Sequence, residues 1–300
     1  MKKLLLMLSL SLFGMAQAHA ELHIFACEPE WASLTQELAK DKVDIYTATN
    51  AYQDPHHIQA RPSLISKMRR ADMLVCTGAE LEVGWLPLLL RQSANDKLQP
   101  GQPGYFEAAA QVTLLDKPVQ VDRSMGDVHP EGNPHMQLDP RRIAKVAEKL
   151  SERLALIDPA NAAFYQQNYQ AFDKRWQATI QHWQTEAAPL KGVPVAVYHE
   201  GYNYLFDWLG LKEIVALEPK PGLPPSAGYL AEVKDKISKE PVKMVIYSAY
   251  QSDQAAKWLG EHAHIPVVQL PFTVGGSDKA KDLFGLFDDT IKRLLAGLKS

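Results

Sequence analysis

Two histidines of this sequence each lie between two prolines. In "QDPHHIQARP", at residues 53–62, His56 follows one proline and precedes another, and "NPHMQLDP", at residues 133–140, holds His135 in the same way. Proline restricts the backbone, so each imidazole is presented with little conformational entropy left to lose on binding. A loop that needed only polarity would not require this arrangement. The pattern therefore indicates imidazoles that are held in place for a chemical task.

A third histidine, His199, ends the apolar run "VPVAVY", which we interpret as a strand. His56 follows another apparent strand, "VDIYTAT", and His135 precedes a helix that starts near Asp139. In open α/β sheets ligands collect at the carboxyl edges of the strands, so the three imidazoles can meet if two sheets face each other across a cleft. Three other histidines lie in helical patterns and are assigned no role: His182, His262 and His264.

The elements that must position these histidines form a repeated pattern. Short apolar runs alternate with helical patterns from Leu22 to about Leu150, and again after Lys191. Strands that alternate with helices predict βαβ units and a parallel sheet. Between the two series, residues 158–189 carry apolar side chains mostly three or four positions apart, which predicts one helix about 45 Å long.

We therefore predict an α/β fold of two lobes, each with a mostly parallel sheet flanked by helices, joined by a long rigid helix. The predicted lobes are residues 21–155 and 190–300, and the linking helix is residues 156–189. A hydrophobic content of 46% provides ample material for a core, and the net charge of −3 gives no electrostatic reason to expect binding to nucleic acid.

The first twenty residues, "MKKLLLMLSLSLFGMAQAHA", have the pattern of a secretory signal peptide, with a mature start at Glu21. The apolar run falls short of the ~18 residues that span a membrane. Cys27 lies too far beyond it to serve as a lipoprotein anchor. We therefore expect a soluble, exported protein, which in a Gram-negative cell resides in the periplasm.

Several kinds of catalytic or binding site are excluded by the sequence. It has no GxGxxG after a strand, no GxxxxGK[ST] and no GxSxG, and the zincin-like start at His199 fails because Asn203 stands where the second histidine is needed. The only cysteines, Cys27 and Cys76, cannot build a cysteine-rich metal site. In an oxidising compartment they could pair, although two buried free thiols remain an alternative.

Three motifs, in order around the predicted long helix, make the whole mature sequence similar to a known family. They are "DPHHIQARPSLISKMRRADMLVCTGAELE", "PHMQLDP" and "VYHEGYNYLFDWLGL". The sequence resembles the metal-binding receptors of bacterial ABC importers, the ZnuA/TroA-like family also called cluster 9.

The resemblance implies that a metal ion lies between the two lobes, with His56, His135 and His199 as ligands. Three imidazole nitrogens favour Zn²⁺ over Mn²⁺, which prefers more oxygen donors. It further implies a periplasmic receptor, without enzymatic activity of its own, that delivers zinc to the membrane permease of an ABC transporter. We expect it to act as a monomer.

The sequence departs from the family where a fourth ligand is usually found. The family commonly supplies an aspartate after the penultimate strand, and here Val274 occupies that position. The alternatives are Glu28, which directly follows the first predicted strand, Asp278, and a water molecule, with Glu28 favoured over Asp278. The long loop rich in histidine and acidic residues that many zinc-binding members carry is reduced here to "DRSMGDVHPEGN", with the single histidine His129.

Two other functions are compatible with the same histidines. Three histidines and a water also form the catalytic site of zinc hydrolases, although only Glu200 and Glu28 are placed to act as a base. A receptor of similar architecture could instead bind a chelated metal or another small ligand, with the histidines lining the cleft. Turnover of generic substrates would favour the hydrolase, and a co-purified organic ligand would favour the second alternative.

Overall fold

The computed structural model describes residues 21–122 and 125–300, and the expected signal peptide lies outside these ranges. The first half contains one four-stranded sheet in the order β2-β1-β3-β4, and all of its pairings are parallel. Its strands are Leu22–Ala26 (β1), Val43–Thr47 (β2), Met73–Cys76 (β3) and Tyr105–Glu107 (β4). The helices between these strands are Pro29–Ala39 (α1), Pro62–Arg70 (α2) and Leu86–Ser93 (α3).

The second half repeats this topology. Its strands pair in the order β6-β5-β7-β8, again all parallel. They are Pro194–Val197 (β5), Lys212–Ala216 (β6), Val245–Ser248 (β7) and Val267–Leu270 (β8). The helices are Asn203–Leu209 (α6), Ala227–Lys239 (α7), Gln254–Ala263 (α8) and Leu283–Lys299 (α9). The predicted α/β class with two mostly parallel sheets is confirmed. No helix within the described residues is long and apolar enough to cross a lipid bilayer.

Two helices connect the halves. Pro140–Ile157 (α4) begins at Asp139, whose side chain caps it by accepting a hydrogen bond from the backbone N–H of Arg141. Ala162–Glu186 (α5) has 25 residues, which corresponds to about 37 Å. The regular helix is shorter than the predicted residues 156–189, because Pro159 and the residues after it form a separate 3₁₀ turn. A proline is tolerated in a first helical turn but cannot donate a hydrogen bond within a longer helix.

One continuous core joins the two sheets. It includes Ile24 and Val75 from the first sheet, Val197 and Ile246 from the second, and Trp176 of α5. The ring of Trp176 is fully buried, and its indole N–H donates to the backbone carbonyl of Pro140 over 2.8 Å. Because α5 packs between the halves, their relative position is fixed by the same apolar contacts that stabilise the fold.

The two cysteines form a disulfide, with 4.8 Å between their Cα atoms. Cys27 directly follows β1 and Cys76 ends β3, and these two strands are parallel neighbours. The carboxyl ends of parallel neighbours lie side by side, so the bond joins the first sheet at the edge that faces the cleft. This settles the alternative of two free thiols, which the sequence left open.

The shared core predicts that the halves unfold together. Trp176→Ala should lower the free energy of unfolding by about 3–5 kcal/mol, the usual cost of truncating a buried aromatic side chain. Urea denaturation followed by circular dichroism measures this, with Gln177→Ala on the exposed side of the same helix as the control. Hydrogen exchange should show reduced protection of both sheets, and loss of protection in only one of them would contradict the single core.

Candidate metal centre

His56, His135 and His199 meet in the cleft between the two halves. Each offers a ring nitrogen, and the three atoms all lie within 4.8 Å of one another. The Nε2 atoms of His135 and His199 are 3.3 Å apart. The side chains are buried, with residue exposures of 8%, 2% and 6%. The convergence inferred from the sequence is therefore present in the fold.

His56 is fixed by the loop after β2. The Nδ1 atom of its ring lies 2.8 Å from Oδ1 of Asp54, which also accepts a hydrogen bond from the His56 backbone N–H over 3.0 Å. The carbonyl of Pro55 accepts a hydrogen bond from the indole of Trp85 over 2.9 Å, so the preceding proline is itself anchored. Burial raises the pKa of Asp54, but the hydrogen bonds and charge of His56 outweigh it, and the pKa is lowered overall. Asp54 is thus an ionised partner that turns Nε2 towards the cleft.

His199 follows β5 and is oriented from the neighbouring strand. Its Nδ1 atom lies 2.7 Å from Oε2 of Glu218, just after β6, and both side chains are about nine-tenths buried. The backbone N–H of Gly222 donates to the same carboxylate oxygen over 3.0 Å. A carboxylate that accepts the Nδ1–H of an imidazole fixes the tautomer in which Nε2 carries the lone pair, as at metal sites in general.

His135 lies deepest, and its ring packs between the other groups of the site. The ring of Phe272 lies 5.4 Å away, centroid to centroid. Gly201 leaves room for both imidazoles, because a Cβ at that position would lie 3.1 Å from Cδ2 of His199 and 3.3 Å from Cδ2 of His135. Burial lowers the pKa of His135 well below its usual value, and the charges of His56, His199 and His129 add to this effect. The ring is therefore neutral at pH 7, the form that binds a metal ion.

A fourth histidine, His129, was not assigned to the site from the sequence. Its Nε2 atom lies 3.3 Å from Nε2 of His56, and the ring is partly buried at the outer side of the cluster. Burial and the charge of His56 lower its pKa to about 4. The one signal that could have identified it is its position, as the sole histidine in the shortened loop before the motif of His135.

The carboxylates expected to complete the site lie elsewhere. Oε2 of Glu28 accepts hydrogen bonds from the hydroxyl and the backbone N–H of Thr77, over 3.1 and 3.2 Å, and Glu28 is not part of the histidine group. Burial, followed by the charges of Glu82 and Glu30, raises its pKa well above the usual value. Its other oxygen, Oε1, is buried without a hydrogen-bond partner, and Glu28 lines a small cavity together with His135. Asp278 is exposed.

Val274, at the position of the usual aspartate, packs partly buried against the central core. The described part of the chain therefore offers imidazoles, and no carboxylate, to the centre of the cluster. Two ligands that each lie 2.0–2.1 Å from a tetrahedral zinc ion are about 3.3–3.4 Å apart. The 3.3 Å separation between His135 and His199 fits this value, so this pair has the spacing of one edge of a nitrogen-ligated tetrahedral site.

A cleft with a volume of about 90 Å³ opens onto His129, His135 and His199. Asp116, Asp127 and Glu200 also line it. Acidic side chains along a cleft raise the local concentration of cations, so this opening is suited to the approach of a metal ion.

A model of the family described as "Zinc-uptake complex component A periplasmic" matches residues 24–297 of the sequence. The chain belongs to this family. The resemblance carried by the three histidine motifs is thereby confirmed, and the match covers both sheets and both connecting helices.

Curated relatives are similar at low identity. The zinc-binding lipoprotein AdcA of Streptococcus pneumoniae serotype 4 is 25% identical over 253 residues, which are 83% of this chain and 49% of AdcA. The chain thus spans about half the length of that relative. The manganese ABC transporter substrate-binding lipoprotein PsaA of Streptococcus anginosus is 23% identical over 278 residues, 89% of this chain and 85% of PsaA.

Solved structures share the fold. A crystal structure of ZnuA superposes with a TM-score of 0.75 at 21% identity, and covers 91% of this chain and 99% of ZnuA. The Mn-bound periplasmic metal binding protein from Candidatus Liberibacter asiaticus gives a TM-score of 0.75 at 18% identity, over 93% of this chain and all of that one. At these identities the likeness concerns the fold alone.

The hydrogen bond from His199 to Glu218 predicts an effect of Glu218→Gln on metal affinity. The amide oxygen of glutamine is a weaker acceptor than a carboxylate, so Zn²⁺ should bind about 10–100-fold more weakly, as when the outer partner of a metal-bound histidine is lost. Isothermal titration with a competing chelator measures this. Glu232→Gln, on the exposed surface of α7, removes the same charge far from the cleft and should bind as the native protein does. Equal affinity of both variants would show that Glu218 does not orient His199.

Proposed function

We propose that this protein is the extracytoplasmic receptor of an ABC importer, and that it binds one Zn²⁺ ion between its halves and delivers it to a membrane permease. The observation that carries the proposal is the meeting of three buried imidazoles, His56, His135 and His199, from both halves. Two have their Nδ1 atoms engaged by carboxylates, so that Nε2 is free to bind the ion. The proposed ligands are these three histidines.

The donor set favours zinc as the ion. Neutral imidazole suits Zn²⁺, whereas Mn²⁺ prefers carboxylate, carbonyl and water oxygens. The relatives are described as zinc-binding in one case and as manganese-transporting in another, so they do not distinguish the two ions. The distinction rests on the absence of a carboxylate from the histidine group within the described residues.

The hydrogen bonds made by the carboxylates near the histidines favour a receptor over a zinc hydrolase. Asp54 and Glu218 are hydrogen-bonded to the imidazoles and orient them. Glu28 accepts a hydrogen bond from the hydroxyl of Thr77, and burial raises its pKa well above the usual value. Glu200, the other candidate base, lines the cleft but lies outside the group of three histidines. None of these carboxylates is therefore placed as a free base beside a metal-bound water, which hydrolysis would require.

The proposed location is the periplasm, after removal of residues 1–20, and the proposed partner is the permease of the importer. We propose that the receptor acts as a monomer. Its loaded form would differ from the empty form by small movements, because the core that joins the halves is continuous and opposes a wide hinge. The permease would then recognise the cleft edge, where loops from both halves are ordered by the ion.

The ligand assignment predicts that His56→Ala and His135→Ala lower zinc affinity by several orders of magnitude. Each removes one proposed nitrogen ligand from a site that the rest of the fold supports. Titration calorimetry should give one ion per native chain, and circular dichroism should show that both variants fold without metal. His182→Ala, on the exposed face of α5, is the control. Native affinity in either variant would exclude that residue from the site, and a native protein that does not bind zinc would refute the function.

His199 is the only one of the three that follows α5 in the sequence, so it should couple metal binding to the second half. His199→Ala should retain weak zinc binding but lose most of the metal-induced stabilisation, which amounts to about 2.7 kcal/mol at a hundredfold excess over Kd. Thermal melts and hydrogen-exchange maps with and without zinc measure this. If the variant kept the full zinc-induced shift and the protection of the second sheet, His199 would not link the halves.

A further inference from the structure

A short segment just before the motif of His135 crosses the cleft. We call residues 125–132 the crossing segment. The backbone N–H of Asp127 donates to the carbonyl of Pro221, in the second half, over 2.9 Å. The carboxylate of the same residue lies 3.3 Å from Nε2 of His57, in the loop of the first half. The crossing segment is thus held from both sides of the cleft, with His129 in between.

Two glycines allow the crossing segment to approach the second half closely. A Cβ on Gly126 would lie 2.3 Å from the carbonyl oxygen of Pro221, and a Cβ on Gly222 would lie 2.1 Å from a carboxylate oxygen of Asp127. Both have positive φ, +85° and +78°, which other residues rarely adopt. The N–H of Gly222 also donates to Glu218. The turn at Gly222, on which the crossing segment docks, therefore also holds Glu218, the hydrogen-bond partner of His199.

The nitrogen atoms of the four histidines form two pairs of equal length. Nε2 of His129 lies 3.3 Å from Nε2 of His56, and Nε2 of His135 lies 3.3 Å from Nε2 of His199. A tetrahedron of ligands 2.0–2.1 Å from zinc has edges of about 3.3–3.4 Å. Each pair therefore has the length of one edge of such a tetrahedron, although His129 lies outside the group of three whose nitrogen atoms are all within 4.8 Å of one another.

On this geometry, and resting on the proposed zinc-receptor function, we propose that His129 is the fourth ligand of the transported ion. The site then holds zinc with four imidazoles and no oxygen donor. The ring of His129 is 6.4 Å from that of His135, whereas His56 is 5.3 Å from His135, so zinc draws the crossing segment inward by a small movement. Loading therefore closes the cleft with a segment that contacts both halves.

The chemistry of this site explains the placement of the carboxylates. Glu28, with its raised pKa and its bonds to Thr77, is not needed at the ion, and the exposed Asp278 is not needed either. A fourth nitrogen in place of a carboxylate or water disfavours Mn²⁺, because that ion depends on oxygen ligands. His129 is thus a residue that determines metal specificity as well as affinity.

The test compares His129→Gln with Glu28→Gln, Asp278→Asn and the control His182→Gln in the full chain. Zinc and manganese affinities are measured by chelator competition, and the number of imidazoles around bound zinc is measured by X-ray absorption. We expect four imidazoles in the native protein and three in His129→Gln. Zinc affinity should fall in that variant by at least about a hundredfold, because the loss of a direct ligand exceeds the 10–100-fold effect of losing an outer partner. The preference for zinc over manganese should narrow, while the other three variants match the native protein.

Gly126→Ala supplies an independent arm, because its added methyl group would lie 2.3 Å from the carbonyl oxygen of Pro221 and displaces the crossing segment, whereas the Gly222 turn that binds Glu218 keeps its sequence. It should weaken zinc binding in the same direction. Three imidazoles in the native protein, native affinity of His129→Gln, or a loss of affinity confined to Glu28→Gln or Asp278→Asn would each overturn the assignment of His129. Those results leave the receptor function intact if zinc still binds to the native protein, whereas absence of zinc binding would refute the function itself.

Discussion

The site depends on one mechanical constraint, which is the fixed separation of two sheets. Imidazoles from both halves can approach to ligand distance only if the sheets that carry them do not move apart. The continuous core around Trp176 provides this constraint, since it includes the inner faces of both sheets and the helix between them. The disulfide of Cys27 and Cys76 adds a covalent link at the cleft edge of the first sheet. With the sheets fixed, binding and release of an ion would depend mainly on small movements of the loops at the cleft.

In the absence of a cation, the electrostatics of the cleft keep the imidazole rings of His135 and His129 uncharged. Burial and mutual repulsion lower the pKa of His135 and of His129, so binding of an ion need not displace protons from these rings. Asp54 and Glu218 supply negative charge on the outer side of two imidazoles. The carboxyl of Glu28 shows the opposite behaviour, because burial and then the charges of Glu82 and Glu30 raise its pKa. Negative charge is thus placed where it orients ligands.

Much of the architecture could be read from the sequence. Apolar runs that alternate with helical patterns predicted the two mostly parallel sheets, and the strand-end rule predicted that His56, His135 and His199 converge. The strand Tyr105–Glu107 was missed because three residues do not establish a pattern. The linking helix was predicted too long because Asp158 and Pro159 are typical of a helix start, and nothing in the sequence distinguishes the short 3₁₀ turns at either end from the regular helix. The roles of Glu28 and His129 depend on loop paths and tertiary partners, Thr77 in one case and His56 in the other, which sequence spacing does not encode.

The central claim is that one zinc ion binds between the halves, in contact with histidines from both. Anomalous diffraction at the zinc absorption edge, from crystals of the zinc-loaded protein, tests it most directly. The account predicts a single strong peak about 2.0–2.1 Å from the Nε2 atoms of His56, His135 and His199. A peak bound by residues of only one half, a peak beside the buried carboxyls of Glu28 and Glu82, or no peak in the cleft would contradict it.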